Sequence, residues 1–379
     1  MVEKAAMTTT ERESPPNPLA RVDISRLTRD AARDHPGHPA ICDSSGDHAT
    51  ALELDARADA MAGAFADIGL APGETLMVAG GARVSSCVAL LAGLRAGLNV
   101  ALAPPHAPPA ILAAFASRVD ARAIACQTSL GDHSPMLDMF EVAARATGVR
   151  MVCGLGPEAF DGAVNLAGDG FGAPPEIDSD SAAAIATFAK GGGAVYHAQK
   201  TLFVAAIDVA RRGRVGFGET IVSCLAPTGF AGLAIGPFLA LAMDAPLYLI
   251  DPFDSAALIA ALESHAPAHL IAPGALAGPL AEAGLLRPDL LRALLLLDRS
   301  GDGAGSLAPL GDTGGVAIVD LHAFGEQAVI AEPRGPEARP LPPAREPHMI
   351  EIGEARVLSV RRRAGPGPLG FEGEAVSAG

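Results

Sequence analysis

Residues 246–285 read PLYLIDPFDSAALIAALESHAPAHLIAPGALAGPLAEAGL. The uncharged run 246–250 has the length of a buried strand and stops at Asp251 and Pro252. A helix is predicted over 254–264, a second strand over 269–272 and a second helix over 274–283. Two strands joined by a helix of this length run parallel in one sheet.

The same alternation continues on both sides. Toward the N-terminus, helices are predicted over 52–68, 84–96, 109–118 and 136–147. The first carries an apolar stripe at Leu54, Ala58, Met61, Phe65 and Ile68, and the second ends at Gly97. Strands fall at 75–79, 100–103, 121–126 and 149–153, and the Gly-, Pro- and Asp-rich stretch 154–180 reads as loop. A second block starts at Ser181, with strands at 183–188, 220–224, 246–250, 269–272, 291–297 and 315–319. Helices in it lie at 201–211 and up to Met243. The expected fold class is α/β, with two packed α/β subdomains, 21–180 and 181–332. Residues 1–20 read as a disordered tail, and 333–379 as a Pro-rich loop with a small β-rich remnant.

The chain has 379 residues and a mass of 38.2 kDa, enough for two or three domains. Hydrophobic residues make up 49% and charged ones 19%, which excludes disorder over most of the length. The net charge of −15 argues against a nucleic-acid partner. The Arg211, Arg212, Arg214 and Arg361, Arg362, Arg363 runs read as solvated ends of elements. Five widely spaced cysteines without a CxxC motif imply reduced thiols and a cytoplasmic location. The uncharged stretch 221–243 could span a bilayer by length, but Pro227, Gly229, Gly232, Gly236 and Pro237 interrupt it. It reads instead as a buried strand, a loop and a buried helix.

Two metal patterns fail. His265 and His269 have helical ligand spacing, but Pro267 lies between them. Asp298, Ser300, Asp302 and Gly303 imitate a calcium loop whose twelfth residue is Pro309 rather than Glu. The more suggestive stretch is AAIATFAKGGGAVYHAQKTL, 183–202, in which a strand runs into Lys190, Gly191, Gly192 and Gly193 and then into a helix. Consecutive glycines can turn backbone N–H groups toward an anion. The pattern is neither a Walker A motif nor GxGxxG, and a flexible connection fits it as well.

The order of these elements resembles the AMP-dependent synthetase/ligase family of adenylate-forming, acyl-CoA synthetase-like enzymes. The similarity is carried by His38-Pro39-Ala40-Ile41, LELDARAD at 52–59, Gly69 to Glu74, and LLAGLRAGLNVALAPP at 90–105. It continues through the glycine stretch, IVSCLAPTGFAGL at 221–233, residues 246–285, and LHAFGEQAVIAEP at 321–333. It covers about 34–360 and implies the N-terminal large domain of such an enzyme. It also implies a nucleotide site for ATP or AMP with magnesium, at Lys190, Gly191, Gly192, Gly193, Phe324, Gly325 and Glu326.

The departures carry as much weight. No Ser or Thr stands between Phe188 and Lys200, where the family's loop is rich in hydroxyls, and Lys190 precedes the glycines instead of following them. Gly229 replaces the turn histidine. Gln327 and Ala328 stand where the resemblance places Thr-Glu, whose carboxylate would hold magnesium; Glu326 is out of register. The family's ribose-binding Asp and its C-terminal catalytic subdomain with a lysine are expected to be absent. The implied function is that of a degenerate, non-adenylating member in acyl or carboxylate metabolism. It would hold a protein partner, a second copy of itself, an acyl carrier or an acyl ligand. The alternatives are an active ligase with unusual residues or a C-terminal domain supplied in trans, and thiol chemistry at Cys224.

Overall fold

The computed structural model describes residues 22–131, 133–156, 158, 160–166, 172–175, 183–299, 310, 313–335, 348–352, 355–362 and 371–372, the last three segments and residue 299 by backbone only. The tail over 1–20 and the calcium-loop pattern after Arg299 lie outside these residues, as do most of the Pro-rich stretch 333–347 and residues 373–379.

Two sheets form the frame. The first has seven strands in the order Val164–Asn165, Met151–Gly154, Ala121–Cys126, Thr75–Ala79, Asn99–Ala103, Ile185–Ala189, Gly193–His197. The second has eight, in the order Ala328–Pro333, Ala317–Phe324, Leu291–Arg299, Ala268–Pro273, Ile221–Ser223, Leu247–Leu249, Pro39–Asp43, His48–Thr50. Pairing is parallel inside both sheets and antiparallel only at Gly193–His197, Ala328–Pro333 and His48–Thr50. A three-stranded antiparallel ribbon, His348–Ile352, Ala355–Arg362 and Phe371–Glu372, matches the expected β-rich remnant.

The layers follow from which faces are apolar. Helices Pro109–Arg118 and Pro135–Arg145 cover the outer face of the seven-stranded sheet through Leu112, Phe115, Met136 and Met139. Helices Ser255–Ser264 and Ala277–Glu282 cover the outer face of the eight-stranded sheet. Between the sheets lie Ala51–Asp67, Val84–Arg95, Gln199–Gly213, Phe230–Ile235 and Pro237–Ala242 in one continuous core. Strands buried on both faces read as unbroken apolar runs, which is why the sequence exposed them.

The sheets do not divide the chain at residue 180. Pro39–Asp43 and His48–Thr50 lie in the second sheet, while Ile185–Ala189 and Gly193–His197 complete the first. The apolar stretch after Ser223 is a turn and two short helices that break at Gly236 and Pro237. Among the described residues no helix is long and apolar enough to cross a membrane.

The glycine stretch differs from expectation. It does not open a helix. Lys190–Gly192 is a single 3₁₀ turn that reverses the chain into Gly193–His197, and the helix begins only at Gln199. Gly191 and Gly192 have φ of +73° and +78°, and a β-carbon on Gly192 would stand 2.9 Å from the Ile111 carbonyl oxygen. Gly192→Ala is therefore expected to destabilise the fold by about 1–3 kcal/mol, read from a denaturant midpoint. Gly191→Ala, which meets no neighbouring atom, should lose less.

Candidate functional site

Three segments meet where the helix Phe230–Ile235 begins. One is the hairpin Ile185–His197, whose base brings Thr187 beside His197. Thr187 Oγ1 lies 2.8 Å from His197 Nε2, and both side chains are buried. Burial pushes His197 down to about 4, so the imidazole is neutral near pH 7. The second segment is the turn after Ser223, leading to Gly229 and Phe230. The Phe230 ring packs on His197 with centroids 5.0 Å apart. The third is the turn of the hairpin formed by Ala317–Phe324 and Ala328–Pro333, which carries Gly325 and Glu326.

Glu326 joins the last two. Its Oε2 accepts a 2.6 Å hydrogen bond from the Phe230 backbone N–H. That N–H is one of the unsatisfied donors at a helix start, and a carboxylate there is favourable. Gly229 makes the approach possible, since a β-carbon on it would stand 2.9 Å from the same oxygen. The glycine that replaces the expected turn histidine thus gives room to the out-of-register glutamate. Gly232 brings the helix onto the preceding turn; a β-carbon there would collide with the Ala226 carbonyl.

The residues singled out from the sequence are split by this geometry. Phe324, Gly325 and Glu326 stand at the Phe230 helix start, with Gly325 at φ +51° supplying the turn. Lys190, Gly191, Gly192 and Gly193 form the opposite end of the Ile185–His197 hairpin, packed toward Ile111 and Ala114. That end is about 13 Å of strand from His197. Lys190 is exposed. The sequence reading missed His197 and Phe230. A lone buried histidine after Tyr196 gives no local signal, because its partners Thr187 and Phe230 arrive through sheet pairing and packing.

The carboxylates that hold the two sheets together lie elsewhere. Asp43 Oδ2 accepts from the Val84 N–H at 2.9 Å, and Asp251 Oδ2 accepts from the Ala82 N–H at 2.7 Å. They tie the start of Val84–Arg95 to the second sheet. Among the described residues no group of three His, Cys, Asp or Glu side chains is placed to hold a metal ion. The His269 Nε2–H donates to Glu219 Oε2 at 2.7 Å.

Cys224 follows Ser223 at the start of the turn. It is half-buried and packs beside the outer core, and burial pushes its thiol up to about 12. The reactive species is the thiolate, so the environment opposes a nucleophilic role. At pH 8, Cys224 is expected to react with iodoacetamide far more slowly in the folded protein than in urea, as read by peptide mass spectrometry. Equal rates would contradict the burial.

Comparison with solved structures gives the same architecture. Apo MbtA from Mycobacterium smegmatis superposes with a TM-score of 0.66 at 22% identity, over 92% of this chain and 68% of that one. ATP-bound MatB from Rhodopseudomonas palustris gives 0.64 at 18% identity, over 92% and 71%. The N-terminal domain of FACL13 from Mycobacterium tuberculosis gives 0.63 at 15% identity, over 80% and 76%. These identities establish the fold and nothing finer. No curated protein sequence matches significantly. The sequence model of the AMP-binding enzymes matches residues 28–297, well over half of the length, and the chain belongs to the AMP-binding enzyme family.

Proposed function

We propose that this chain keeps the family's scaffold without its adenylation chemistry. It acts as a ligand-binding or partner-binding protein of acyl and carboxylate metabolism in the cytoplasm. The observation that carries the reading is the Glu326 carboxylate. Magnesium is held by carboxylate oxygens turned toward the ion. One Glu326 oxygen is instead bonded to the Phe230 N–H, and the following Gln327 and Ala328 bring no charge. The glycine turn stands at the far end of its hairpin and carries no Ser or Thr. These residues do not fit a magnesium-bound triphosphate held as the resemblance implies. Removing charge stabilisers from a transferring centre costs orders of magnitude in rate each.

What remains is the family's frame, which in this reading holds a small ligand or a protein surface. The five free cysteines suit the reducing compartment assigned here. Carboxylate-dependent exchange of pyrophosphate into ATP tests the first half. No exchange above the protein-free rate is expected across a panel of aliphatic and aromatic acids. Exchange with any acid would restore the active-ligase reading. Native mass spectrometry of the protein as purified tests the second half. A retained small molecule, a second copy or a bound protein is expected, and a bare monomer in every preparation would contradict it.

A further inference from the structure

The strand Gly193–His197 is one edge of the seven-stranded sheet, and among the described residues no strand pairs with its outer side. We propose that this edge takes the C-terminal end of a partner protein as an added antiparallel strand, with the terminal carboxylate at Lys190. The proposal deepens the partner-binding reading above and rests on it, because it assigns the glycine turn to a carboxylate instead of a triphosphate.

A sheet edge presents a row of backbone N–H and C=O groups that another strand can pair with, and proteins blunt such edges by shortness, charge, proline or bulges. The other three edges follow that rule. Val164–Asn165 and His48–Thr50 have two and three residues, and Ala328–Pro333 ends in Glu332 and Pro333. Gly193–His197 reads GAVYH, with no acidic residue, lysine, arginine or proline, and it pairs with Ile185–Ala189 in unbroken register.

The direction of pairing places the end of the added chain. A strand antiparallel to Gly193–His197 has its last residue at Gly193, beside the Lys190–Gly192 turn. Lys190 is exposed, and a β-carbon on Gly191 would meet nothing within 4 Å, so the turn is open there. Turns of successive backbone N–H groups attract anions, and C-terminal carboxylates are captured in such turns. A chain that ends at Gly193 brings a carboxylate to the lysine, and a chain that runs on brings none. The surroundings suit an anion. The protein carries a net −15, yet residues 181–207 contain Lys190 and Lys200 and no Asp or Glu.

The face of the strand sets the preference for side chains. Ala194 packs against the outer core that holds Leu112 and Phe115 of the helix Pro109–Arg118, and Tyr196, two residues on, shares that face. Tyr196 is 57% exposed. Gly192 packs on Ile111 of the same helix, and Ile111 is another exposed apolar residue. Side chains of an added strand alternate between the two faces, so every second one meets this apolar surface.

Fluorescence anisotropy of the full-length protein with the hexapeptide Gly-Ser-Thr-Val-Ile-Val, labelled with fluorescein at its N-terminus, tests this. Main-chain hydrogen bonds give the affinity in this mode, so one apolar peptide is a sufficient probe. A Kd on the order of 100 μM is expected. The same peptide with a C-terminal amide should bind about tenfold more weakly, the loss of one charge-assisted contact. Lys190→Gln should lower binding of the acid to that of the amide, and Tyr196→Ala should weaken both. Thermal melts check that the variants fold. An added strand turns the N–H groups of alternate residues toward its neighbour. Of two peptides N-methylated on alternate residues, one should therefore lose binding and the other keep it. Absence of saturable binding, equal binding of acid and amide, or indifference to both methylation patterns would each overturn the proposal. So would a dimer in sedimentation that Tyr196→Ala dissociates, which would put a second copy on the edge. Peptide binding and pyrophosphate exchange are separate readouts, so failure of the strand addition is distinguishable from failure of the non-adenylating reading.

Discussion

Asp320→Ala is expected to destabilise the protein by about 3–5 kcal/mol, the loss typical of removing one partner of a buried ion pair. Asp320 lies in the strand Ala317–Phe324, and Arg334 follows the strand Ala328–Pro333. The guanidinium meets the carboxylate through Nε at 3.0 and 2.9 Å and through Nη2 at 2.8 Å. Both side chains are almost completely buried, at 1% and 2%. The pair closes the hairpin whose turn presents Glu326 to Phe230. Its loss leaves a buried arginine charge and loosens that turn as well. Urea unfolding of the variant measures the cost. The double variant Asp320→Leu with Arg334→Met should recover much of it, because neither charge then remains buried. A single variant within about 0.5 kcal/mol of the parent would contradict the burial of this pair.

The second large effect is loss of stability in mild acid. The His197 imidazole sits near 4 in the folded chain against 6.5 in the unfolded one. Above pH 6.5 both states hold it neutral, and its full contribution is present. Below pH 6.5 the unfolded chain takes up a proton that the folded one refuses, so stability falls until the pH approaches 4. The total is about 3 kcal/mol at 1.36 kcal/mol per unit. His269 adds in the same direction, because burial lowers it more than Glu219 raises it. The lowered carboxylates Glu74 and Glu219 act only as the pH falls below their ordinary range near 4.5, so the histidines dominate between pH 6.5 and 5. Denaturant unfolding at several pH values should show the slope. His197→Phe should reduce it while keeping an aromatic contact with Phe230. A flat profile from pH 7 to 5 would contradict a buried neutral His197.

The parallel interior of both sheets was legible because strands buried on two faces are continuous apolar runs bounded by breakers. Thr75–Ala79 and Ala121–Cys126 have the bounds read from the sequence. The antiparallel edge strands were not legible. Gly193–His197 is short, begins at a glycine and finds its partner only through the hairpin. The helix Ile24–Asp34 also escaped, since its buried face includes Ser25 and Thr28, bonded to the buried Arg95 rather than forming an apolar stripe. At the site, the family resemblance implied that Glu326 stands out of register and that Gly229 takes the place of a histidine. That these two departures answer each other across the Phe230 N–H is a contact between residues 96 positions apart. A single sequence has no signal for it.

The proposed loss of the magnesium-bound triphosphate is open to direct measurement. Calorimetric titration with ATP, in the presence and absence of magnesium, tests it most directly. No magnesium-dependent heat is expected from a protein shown to be folded by its thermal transition. Tight, saturable ATP binding that requires magnesium would contradict it.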